Sequence, residues 1–507
     1  MDIKQLNTLG KLKSSGYIPV SVKDEMRKNL ITFLKSGKNP FEGIVGYDET
    51  VIPDLQTAIL SRHNIILLGL RGQAKTKIAR LFINLLDEYI PVVKDSELND
   101  DPFNPLTRTS KEMIAEMGDN TPIEWLHRSE RYTEKLATPD VTVADLIGDV
   151  DPIKAAALKL PYSDERVIHF GLIPRSHRSV FVINELPDLQ ARIQVALFNI
   201  LQENDIQIRG FKIRLPLDIQ FVFTANPEDY TNRGSIVTPL KDRIDSQILT
   251  HYPKTISISR KITEQEALLS EEQENSIFVD DLIRNLIEQI AVEARNSEYV
   301  DPKSGVSARL TISAFENLVS SAERRRIVNN EESTSGRVSD LYNIIPALTG
   351  KIELVYEGEQ EGSSKVAHIL IGKAIRHFFK EYFPDPDKIK KNDHTNPYKK
   401  VINWFSSGNI LDIQNLLSEK GYSKLLRKVD GLEELVSKYH PETDEKTKLL
   451  YMEFILHGLA EYSLLSKSKL ESGVEFKDML STMFTFTAEE DDNTSEGDSS
   501  DFFDDRI

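Results

Sequence analysis

A lysine–threonine pair behind a short apolar run is the clearest chemical signal in this chain. The run Ile65–Leu68 is long enough for a buried strand, and a glycine turn from Gly69 to Gly72 ends it. Lys75 and Thr76 then open a segment whose apolar residues have helical spacing, which is the context of a phosphate-binding loop. Backbone N–H groups of such a loop point at phosphates, the lysine adds positive charge, and the threonine hydroxyl reaches Mg²⁺.

This loop departs from the common pattern G-x-x-x-x-G-K-[ST] at one position, where Ala74 stands in place of the second glycine. The added methyl group narrows the space in which the backbone approaches a phosphate. We expect the nucleotide to be bound by the whole loop, and Thr76 to contact the metal ion as well. The loop residues are Gly69, Gly72, Gln73, Ala74, Lys75 and Thr76.

Two further apolar runs end in polar residues that a nucleotide site could use. Asn184 and Glu185 follow the run 180–183, and Asn226 follows the run 219–223. Because the carboxyl ends of parallel strands meet at one edge of a sheet, these side chains are predicted to lie beside the loop. Glu185 could orient or deprotonate a water molecule, whereas Asn184 could hydrogen-bond a metal-bound water without adding charge. An alternative role for Asn184 is a helix cap at the end of its strand.

The elements that must position these residues alternate between strand and helix, which specifies an α/β parallel sheet. A helix is predicted over 192–204 and a hairpin over 206–215, between the second and third apolar runs. The polar stretch 96–121 is predicted to be a loop region. The C-terminal third is predicted to be helical, for example over 363–383 and 410–417.

Composition excludes several classes of protein. The 507 residues are 39% hydrophobic and 28% charged, as in a soluble globular protein. No apolar run approaches the roughly 18 residues that span a membrane, and the N-terminal segment lacks a signal-peptide core. The absence of cysteine excludes disulfides and thiol catalysis. These observations predict a cytoplasmic protein.

The net charge of −17 argues against nucleic acid as a partner. Part of this charge is local, because residues 489–507 contain nine acidic residues and one arginine. Such a tail is predicted to be disordered. The densest basic run, Arg324–Arg326, is predicted to be solvent-exposed surface charge on a helix and not a nucleic-acid patch.

In this order, the loop, the strand ending in Asn-Glu and the strand ending in Thr-Ala-Asn-Pro resemble an AAA+ ATPase. Further stretches resemble the magnesium-chelatase ATPase subunits and the MoxR-type ATPases. Thr142–Asp151 is similar to their T-x-D-x-L-x-G-x-x-D stretch, and Leu240–Asp245 is similar to their L-x-D-R-F-D. Ser307–Arg309 resembles the S-P-R-A start of their lid helix. The resemblance covers about residues 41–350.

The resemblance implies a role for each matching residue. Glu185 would be the catalytic carboxylate and Asn226 the first sensor. Arg309 would be the second sensor, at the start of the lid helix. Arg243 would act in trans on the nucleotide of a neighbouring subunit, from a helix that faces away from its own loop. An intrachain salt bridge is the alternative for Arg243.

The same resemblance implies the organisation and the cofactors. ATP and Mg²⁺ would bind between the subunits of a homo-oligomeric ring, a hexamer in such families, and a von Willebrand A-domain protein is often the partner. Five regions are predicted: an N-terminal helical segment (1–40), an AAA+ nucleotide-binding domain (41–250), a helical lid (251–350), a helical C-terminal region (351–487) and an acidic tail (488–507).

Two functions are consistent with the sequence. The first is an ATPase that hydrolyses ATP to remodel or activate a partner protein. The second is a nucleotide-gated scaffold that binds ATP to assemble and hardly hydrolyses it. Ala74 and Asn184 favour the scaffold, because both departures affect hydrolysis more than binding, whereas Glu185, Asn226 and Arg243 favour the ATPase. A DNA-directed motor is disfavoured by the acidic charge and by the lack of a recognisable DNA-binding helix pair.

Overall fold

The structure of the protein is a computed structural model, which describes residues 5–162, 164–208, 214–227, 236–389, 396–470 and 472–479. The chain divides into two compact units, Met1–Pro253 and Lys254–Ile507. The acidic tail from residue 488 lies outside the described residues, so its predicted disorder stays a prediction.

The first unit alternates short strands with helices. Its described strands are β1 (Ile65–Leu68), β2 (Tyr89–Val93), β3 (Ile123–His127), β4 (Tyr132–Leu136), β5 (Gly148–Val150), β6 (Ile168–Phe170), β7 (Ser179–Asn184), β8 (Asp205–Gln207), β9 (Arg214–Pro216), β10 (Ile219–Ala225) and β11 (Ser246–Leu249). Its described α-helices are α1 (Leu9–Ser14), α2 (Val22–Ser36), α3 (Val51–Leu60), α4 (Lys75–Leu81), α5 (Arg108–Met117), α6 (Val143–Leu146), α7 (Pro152–Leu158), α8 (Leu172–Arg175), α9 (Ala191–Ala196), α10 (Phe198–Glu203) and α11 (Thr238–Lys241).

Five of these strands form one parallel sheet in the order β11-β1-β10-β7-β4. The three apolar runs of the sequence are therefore the three central strands, and β1 lies directly beside β10. Every residue of β1, β7 and β10 is buried, because helices cover both faces of the sheet. The predicted α/β fold with a parallel sheet is confirmed, as is the helical region that follows it.

Alternate residues of each strand enter one of two hydrophobic cores. Val180 and Val182 of β7 share a core with Ile78 of α4 and with apolar residues of α2 and α3. Phe181 and Ile183 of the same strand share the other core with α9 and α10. The period of two therefore places Asn184, the last residue of β7, on the face that carries α4.

The second unit is mainly helical. Its described α-helices are α12 (Ile256–Glu266), α13 (Glu271–Ser276), α14 (Asp281–Arg295), α15 (Arg309–Val328), α16 (Ile345–Thr349), α17 (Tyr356–Glu361), α18 (Ser363–Tyr382), α19 (Lys399–Ser406), α20 (Glu419–Leu426), α21 (Leu432–Tyr439) and α22 (Glu445–Glu461). Its described strands are β12 (Ile277–Phe278), β13 (Thr334–Ser335), β14 (Leu411–Gln414), β15 (Ser466–Leu470) and β16 (Gly473–Lys477). One continuous hydrophobic core extends from Ile277 to Phe476.

Three local predictions are wrong. The stretch 96–121 contains the ten-residue helix α5, which begins after the Thr107 side chain caps the Ser110 N–H. The helix predicted over 410–417 is instead strand β14, which pairs with β16 in an antiparallel three-stranded sheet. The helix predicted over 192–204 is divided at Leu197 into α9 and α10.

The prediction of surface charge for Arg324–Arg326 is wrong for its central residue. Arg325 is only 1% exposed, and its guanidinium binds Asp340 with a nitrogen–oxygen distance of 2.7 Å. The same guanidinium donates to the backbone oxygen of Ser335. This arginine therefore belongs to the interior of the second unit, where a buried charge has to be paired.

No helix in the described parts of the chain is both long enough and apolar enough to cross a membrane.

Candidate nucleotide-binding site

The carboxyl ends of three neighbouring strands bring the predicted residues together. The loop 69–74 leaves β1, Asn226 directly follows β10, and Asn184 ends β7. Since β1 pairs with β10 and β10 pairs with β7, these three positions lie side by side at one edge of the sheet. This edge is where parallel α/β sheets bind ligands.

The loop adopts left-handed backbone conformations at its two small residues. Gly72 has a φ of +74°, which costs a glycine little. Ala74 has a φ of +57°, a region in which a Cβ atom is strained by roughly 1–2 kcal/mol. The alanine thus occupies a position whose backbone conformation favours glycine, and the loop holds it there.

Contacts from elsewhere in the first unit hold the loop in place. The Tyr47 hydroxyl lies 3.1 Å from the backbone oxygen of Gln73 and 2.7 Å from that of His251. Burial raises the pKa of Tyr47 to about 12, so the hydroxyl keeps its single proton, which the two carbonyl oxygens share. Thr250 donates to the Gln73 side chain at 2.7 Å, and a Cβ atom at Gly69 would overlap the Thr250 hydroxyl. Gln73 therefore connects the loop to Tyr47 and Thr250 and holds it in this conformation.

Lys75, at the start of α4, is buried at the centre of the site. Its ammonium donates to the backbone oxygens of Gly69 and Leu70, and to Asn226 Oδ1 at 2.7 Å. An ammonium has three N–H donors, so a phosphate would have to displace at least one of these acceptors. The lysine is thus held over the loop by the loop's own carbonyl groups.

Asn226 connects this lysine to the predicted catalytic carboxylate. Its Nδ2 donates to Glu185 Oε2 at 3.1 Å, while its Oδ1 accepts from Lys75. Glu185 itself has a φ of +54°, and its backbone N–H donates to the Thr224 hydroxyl at 3.2 Å. A continuous hydrogen-bonded chain from cation to amide to carboxylate therefore crosses the ends of β1, β10 and β7.

Asn184 has a different set of partners. Its Oδ1 accepts from the Thr224 hydroxyl at 3.0 Å, and its Nδ2 donates to Glu134 at 2.6 Å. Glu134 also accepts from Arg80 and from Tyr132. Burial alone would raise the pKa of Glu134, but the hydrogen bonds from Arg80 and Tyr132 outweigh it and lower the pKa. The Asn184 side chain thus connects β7 to both of its neighbours, β10 and β4. It does not cap the helical turn that follows, because Glu185 lies at the cap position.

The donor atoms at this edge suit a nucleotide-bound Mg²⁺. Thr76 is the second residue of α4, and the first intrahelical bond of that helix runs from the Ile78 N–H to the Ala74 oxygen. The N–H groups that precede Ile78 are those that a helix leaves without intrahelical partners, and they favour anions. The hydroxyl of Thr76 and the carboxylates of Glu134 and Glu185 are oxygen donors, which Mg²⁺ prefers.

The prediction that Arg243 lies on a helix is wrong. It follows the four-residue helix α11 and lies in a turn. Its guanidinium donates to Gln202 Oε1 at 3.0 Å and to the Pro239 oxygen at 2.7 Å, and it stacks 5.0 Å above the ring of Phe198. The side chain is half-buried, and these partners are neutral groups of its own unit.

Arg309 belongs to the second unit, where it is the first residue of α15 and is exposed. Its backbone N–H donates to the Ser307 hydroxyl at 3.1 Å. The predicted start of a helix at this residue is therefore found, and its role as a second sensor stays a prediction.

Sequence reasoning missed three groups of this site, namely Tyr47, Thr250 and Glu134. Tyr47 and Thr250 contact the loop from positions 26 and 177 residues away from Gln73, so no motif could contain them. Glu134 lies in the short strand β4, and no motif marks it. Only the strand order shows that this strand neighbours the one that ends in Asn184.

Comparison with known proteins gives weak likenesses. No family model matches the chain. NtrX of Brucella abortus is 13% identical over 57% of this chain and 55% of that one, with a TM-score of 0.32, so the chain spans about half of NtrX. The complex of the magnesium-chelatase subunits BchI and BchD is 19% identical over 63% of this chain and 98% of that one, with a TM-score of 0.33.

The RuvB Holliday junction branch migration motor of Thermotoga maritima is 12% identical over 71% of this chain and 75% of that one, with a TM-score of 0.31. Similarities of this size carry no functional argument for this chain. The fold assignment rests on the strand order and on the loop between β1 and α4, which together make an α/β core of the P-loop type.

Proposed function

We propose that this protein binds ATP with Mg²⁺ and hydrolyses it, as an AAA+ ATPase of the MoxR or magnesium-chelatase type. The observation that carries the proposal is the hydrogen-bonded chain from Lys75 through Asn226 to Glu185. In a phosphoryl-transfer site the lysine neutralises phosphate charge, the amide senses the terminal phosphate, and the carboxylate orients the attacking water. The three groups lie in the order that such a reaction needs.

Binding requires a rearrangement of this chain. A terminal phosphate that reaches Lys75 competes with the backbone oxygens of Gly69 and Leu70 and with Asn226 Oδ1. The NH₂ group of Asn226 has two N–H donors, so one could donate to a phosphate oxygen while the other still donates to Glu185. A bound phosphate would then affect the position of the Glu185 carboxylate through Asn226. This is why we assign the first-sensor role to Asn226.

Mg²⁺ would be held by the Thr76 hydroxyl and by water molecules bonded to Asn184. When bound, this ion would offset the negative charge that develops during phosphoryl transfer. The chain's own groups bind and orient the nucleotide, and Glu185 accepts a proton from the attacking water.

We propose further that the protein acts as a homo-oligomeric ring, hexameric as in such families, that remodels or activates a partner protein such as a von Willebrand A-domain protein. Residues 41–250 would form the nucleotide-binding domain and 251–350 the lid that carries Arg309 as second sensor. Arg243 would act in trans on the nucleotide of a neighbouring subunit, since its guanidinium donates to Gln202 and to the Pro239 oxygen, which are neutral and do not offset its charge.

The alternative is a nucleotide-gated scaffold with little hydrolysis. Two observations favour it: the strained backbone of Ala74, and the carbonyl group of Asn184, which faces Thr224 and carries no charge. The two functions differ in turnover and not in binding.

Binding and turnover are tested on the full-length protein with three variants. Lys75→Ala should abolish the binding of a fluorescent ATP analogue, while Lys35→Ala, an exposed lysine of α2, should bind as the wild type does. Glu185→Gln should bind the analogue normally and lose hydrolysis by about a hundredfold or more. Normal analogue binding by Lys75→Ala would refute the proposed binding site. If the wild-type protein hydrolyses ATP so slowly that Glu185→Gln causes no further loss, the scaffold function is favoured.

Ring formation is tested by mixing two inactive variants. Arg243→Ala keeps Lys75, and Lys75→Ala keeps Arg243, so mixed interfaces should regain hydrolysis that neither variant shows alone. The arginine acts on developing phosphate charge, an effect worth about 10³-fold or more in other enzymes. No recovery at any ratio, with co-assembly shown by light scattering, would exclude the trans role.

A further inference from the structure

A fourth strand brings a carboxylate to the metal side of the candidate site. Glu134 lies in β4, where it is in register with Val182 of the neighbouring strand β7, and Leu136 is in register with Asn184. Paired residues of parallel strands project to the same face, so Glu134 and Asn184 share the face that carries α4. The distance from Asn184 Nδ2 to Glu134 Oε1 is 2.6 Å.

The chemistry of the partners fixes the orientation of the Asn184 amide. A carboxylate is only an acceptor, so the NH₂ group must face Glu134. The carbonyl oxygen then accepts from the Thr224 hydroxyl at 3.0 Å. An amide oxygen has two lone pairs, which leaves one for a second donor such as a metal-bound water. Asn184 can therefore connect Glu134 to a water molecule at this edge.

The helix that carries Thr76 also carries the cation that holds Glu134. Arg80 lies four residues after Thr76 on α4, on the same side of the helix, and its Nε donates to Glu134 Oε2 at 2.9 Å. Glu134 is 22% exposed in its side chain, compared with 64% for Arg80. The carboxylate is thus the more enclosed member of the pair and faces the site.

We propose that Glu134 is a positioning residue for the metal side, supplying through Asn184 the negative charge that an aspartate at position 184 would supply directly. This inference rests on the proposed function, because it concerns the Mg²⁺ that accompanies ATP. Mg²⁺ keeps several of its waters in proteins, so an acid that acts through a hydrogen-bonded neighbour can still favour the ion. Groups at this distance change metal affinity by about 10- to 100-fold when they are removed.

The competing explanation is purely structural: the Arg80–Glu134 pair could only fasten α4 to β4. The two explanations differ in what they predict for the arginine. If Glu134 acts as a charge, removal of Arg80 removes a nearby positive charge and should leave metal affinity equal or higher. If the pair is only a fastener, loss of either partner should have the same effect.

The experiment measures Mn²⁺ binding by electron paramagnetic resonance on the full-length protein with a non-hydrolysable ATP analogue, after analogue binding in EDTA has been measured separately. Glu134→Gln should bind the analogue in EDTA normally and bind Mn²⁺ about tenfold more weakly. Arg80→Gln should not weaken Mn²⁺ binding. Glu124→Gln, an exposed glutamate of β3, is the matched control and should bind Mn²⁺ as the wild type does.

An exchange of the two groups supplies the rescue. Asn184→Asp alone places two carboxylates within hydrogen-bond distance, so repulsion should lower its melting temperature and cancel any gain in Mn²⁺ affinity. The double variant Glu134→Gln/Asn184→Asp reverses the direction of the hydrogen bond and restores one carboxylate. Its Mn²⁺ affinity should return to the wild-type value or exceed it.

Each outcome decides a different question. Unchanged Mn²⁺ affinity in Glu134→Gln, equal losses in Glu134→Gln and Arg80→Gln, or a double variant no better than Glu134→Gln would each overturn the inference. If Glu134→Gln does not fold, weaker Mn²⁺ binding than the wild type by Arg80→Gln or by the folded double variant would overturn the inference. Absence of analogue binding by the wild type in both EDTA and Mn²⁺ would overturn the proposed function together with this inference.

Discussion

The two ends of the parallel sheet are both lined with buried polar side chains, but they use them differently. At the amino end, polar side chains are matched to fixed partners: Arg131 forms two 2.6 Å bonds to Glu25, and the Asn64 side chain accepts from the Phe221 N–H. At the carboxyl end, the amide of Asn226 connects Lys75 to Glu185.

This difference distinguishes polarity that stabilises from polarity that can act. The carboxylate of Glu25 also accepts the Asp87 N–H at 2.6 Å. Both of its oxygens therefore accept hydrogen bonds from residues of the first unit. The groups at the carboxyl end bind one another, and the donors among them, Lys75 and the Asn226 NH₂ group, could instead donate to a phosphate. We expect changes at the amino end to affect unfolding, and changes at the carboxyl end to affect nucleotide chemistry.

The largest effect on stability should come from breaking the buried pair at the amino end. Glu25→Gln leaves the Arg131 charge buried without its counter-charge and should lower the free energy of unfolding by about 3–5 kcal/mol. Asp24→Asn is the matched control, because Asp24 is the neighbouring residue of α2 and pairs with Arg62 at the same 2.6 Å, but half-exposed. That exposed pair should cost less than about 1 kcal/mol.

Urea unfolding measures both free energies, and analogue binding is compared at low temperature where both variants are folded. Equal losses in the two variants would show that burial of the pair is not what stabilises this end. A lost nucleotide affinity in folded Glu25→Gln would remove the distinction between the two ends.

The pH dependence of stability should also originate at the amino end. Burial raises the pKa of Asp218 to about 6, and burial lowers the pKa of His177 to about 4. As pH rises from about 4 to 6, the unfolded chain ionises Asp218 before the folded protein does, so this residue lowers stability. Over the same range His177 raises stability, because the unfolded chain holds a proton there that the folded protein does not.

The two contributions oppose each other, and Asp218→Asn removes one of them. The asparagine can still accept the Val22 N–H, which Asp218 accepts at 2.8 Å. Relative to the wild type, the variant should therefore gain up to about 3 kcal/mol of unfolding free energy between pH 4 and pH 6. A difference between the two proteins that stays constant with pH would show that Asp218 is ionised in the folded state throughout.

The smallest effect should come from relieving the strain at the carboxyl end. Ala74→Gly removes the Cβ atom from a left-handed position and should raise the free energy of unfolding by up to about 1 kcal/mol. Ala79→Gly, in the right-handed interior of α4, should lower it by about the same amount. If both changes destabilise the protein equally, the left-handed conformation of Ala74 carries no strain.

The sequence determined those parts of the protein that depend on local pattern. The three apolar runs are β1, β7 and β10, and the loop with Lys75 lies between β1 and α4 as predicted. The polar residues that end these strands, Asn184 and Asn226, lie at one edge of the sheet. These features could be predicted because an apolar run, a glycine turn and a helical spacing of apolar residues each depend only on residues that are close along the chain.

Only the tertiary structure decided which distant groups complete the site. Glu134 meets Asn184 because β4 pairs with β7, and Tyr47 meets the loop across 26 residues of chain. Strand order and long-range contacts of this kind have no local signature. The burial of Arg325 against Asp340 was decided in the same way, because a charged run on a helix is exposed or buried according to what packs against it.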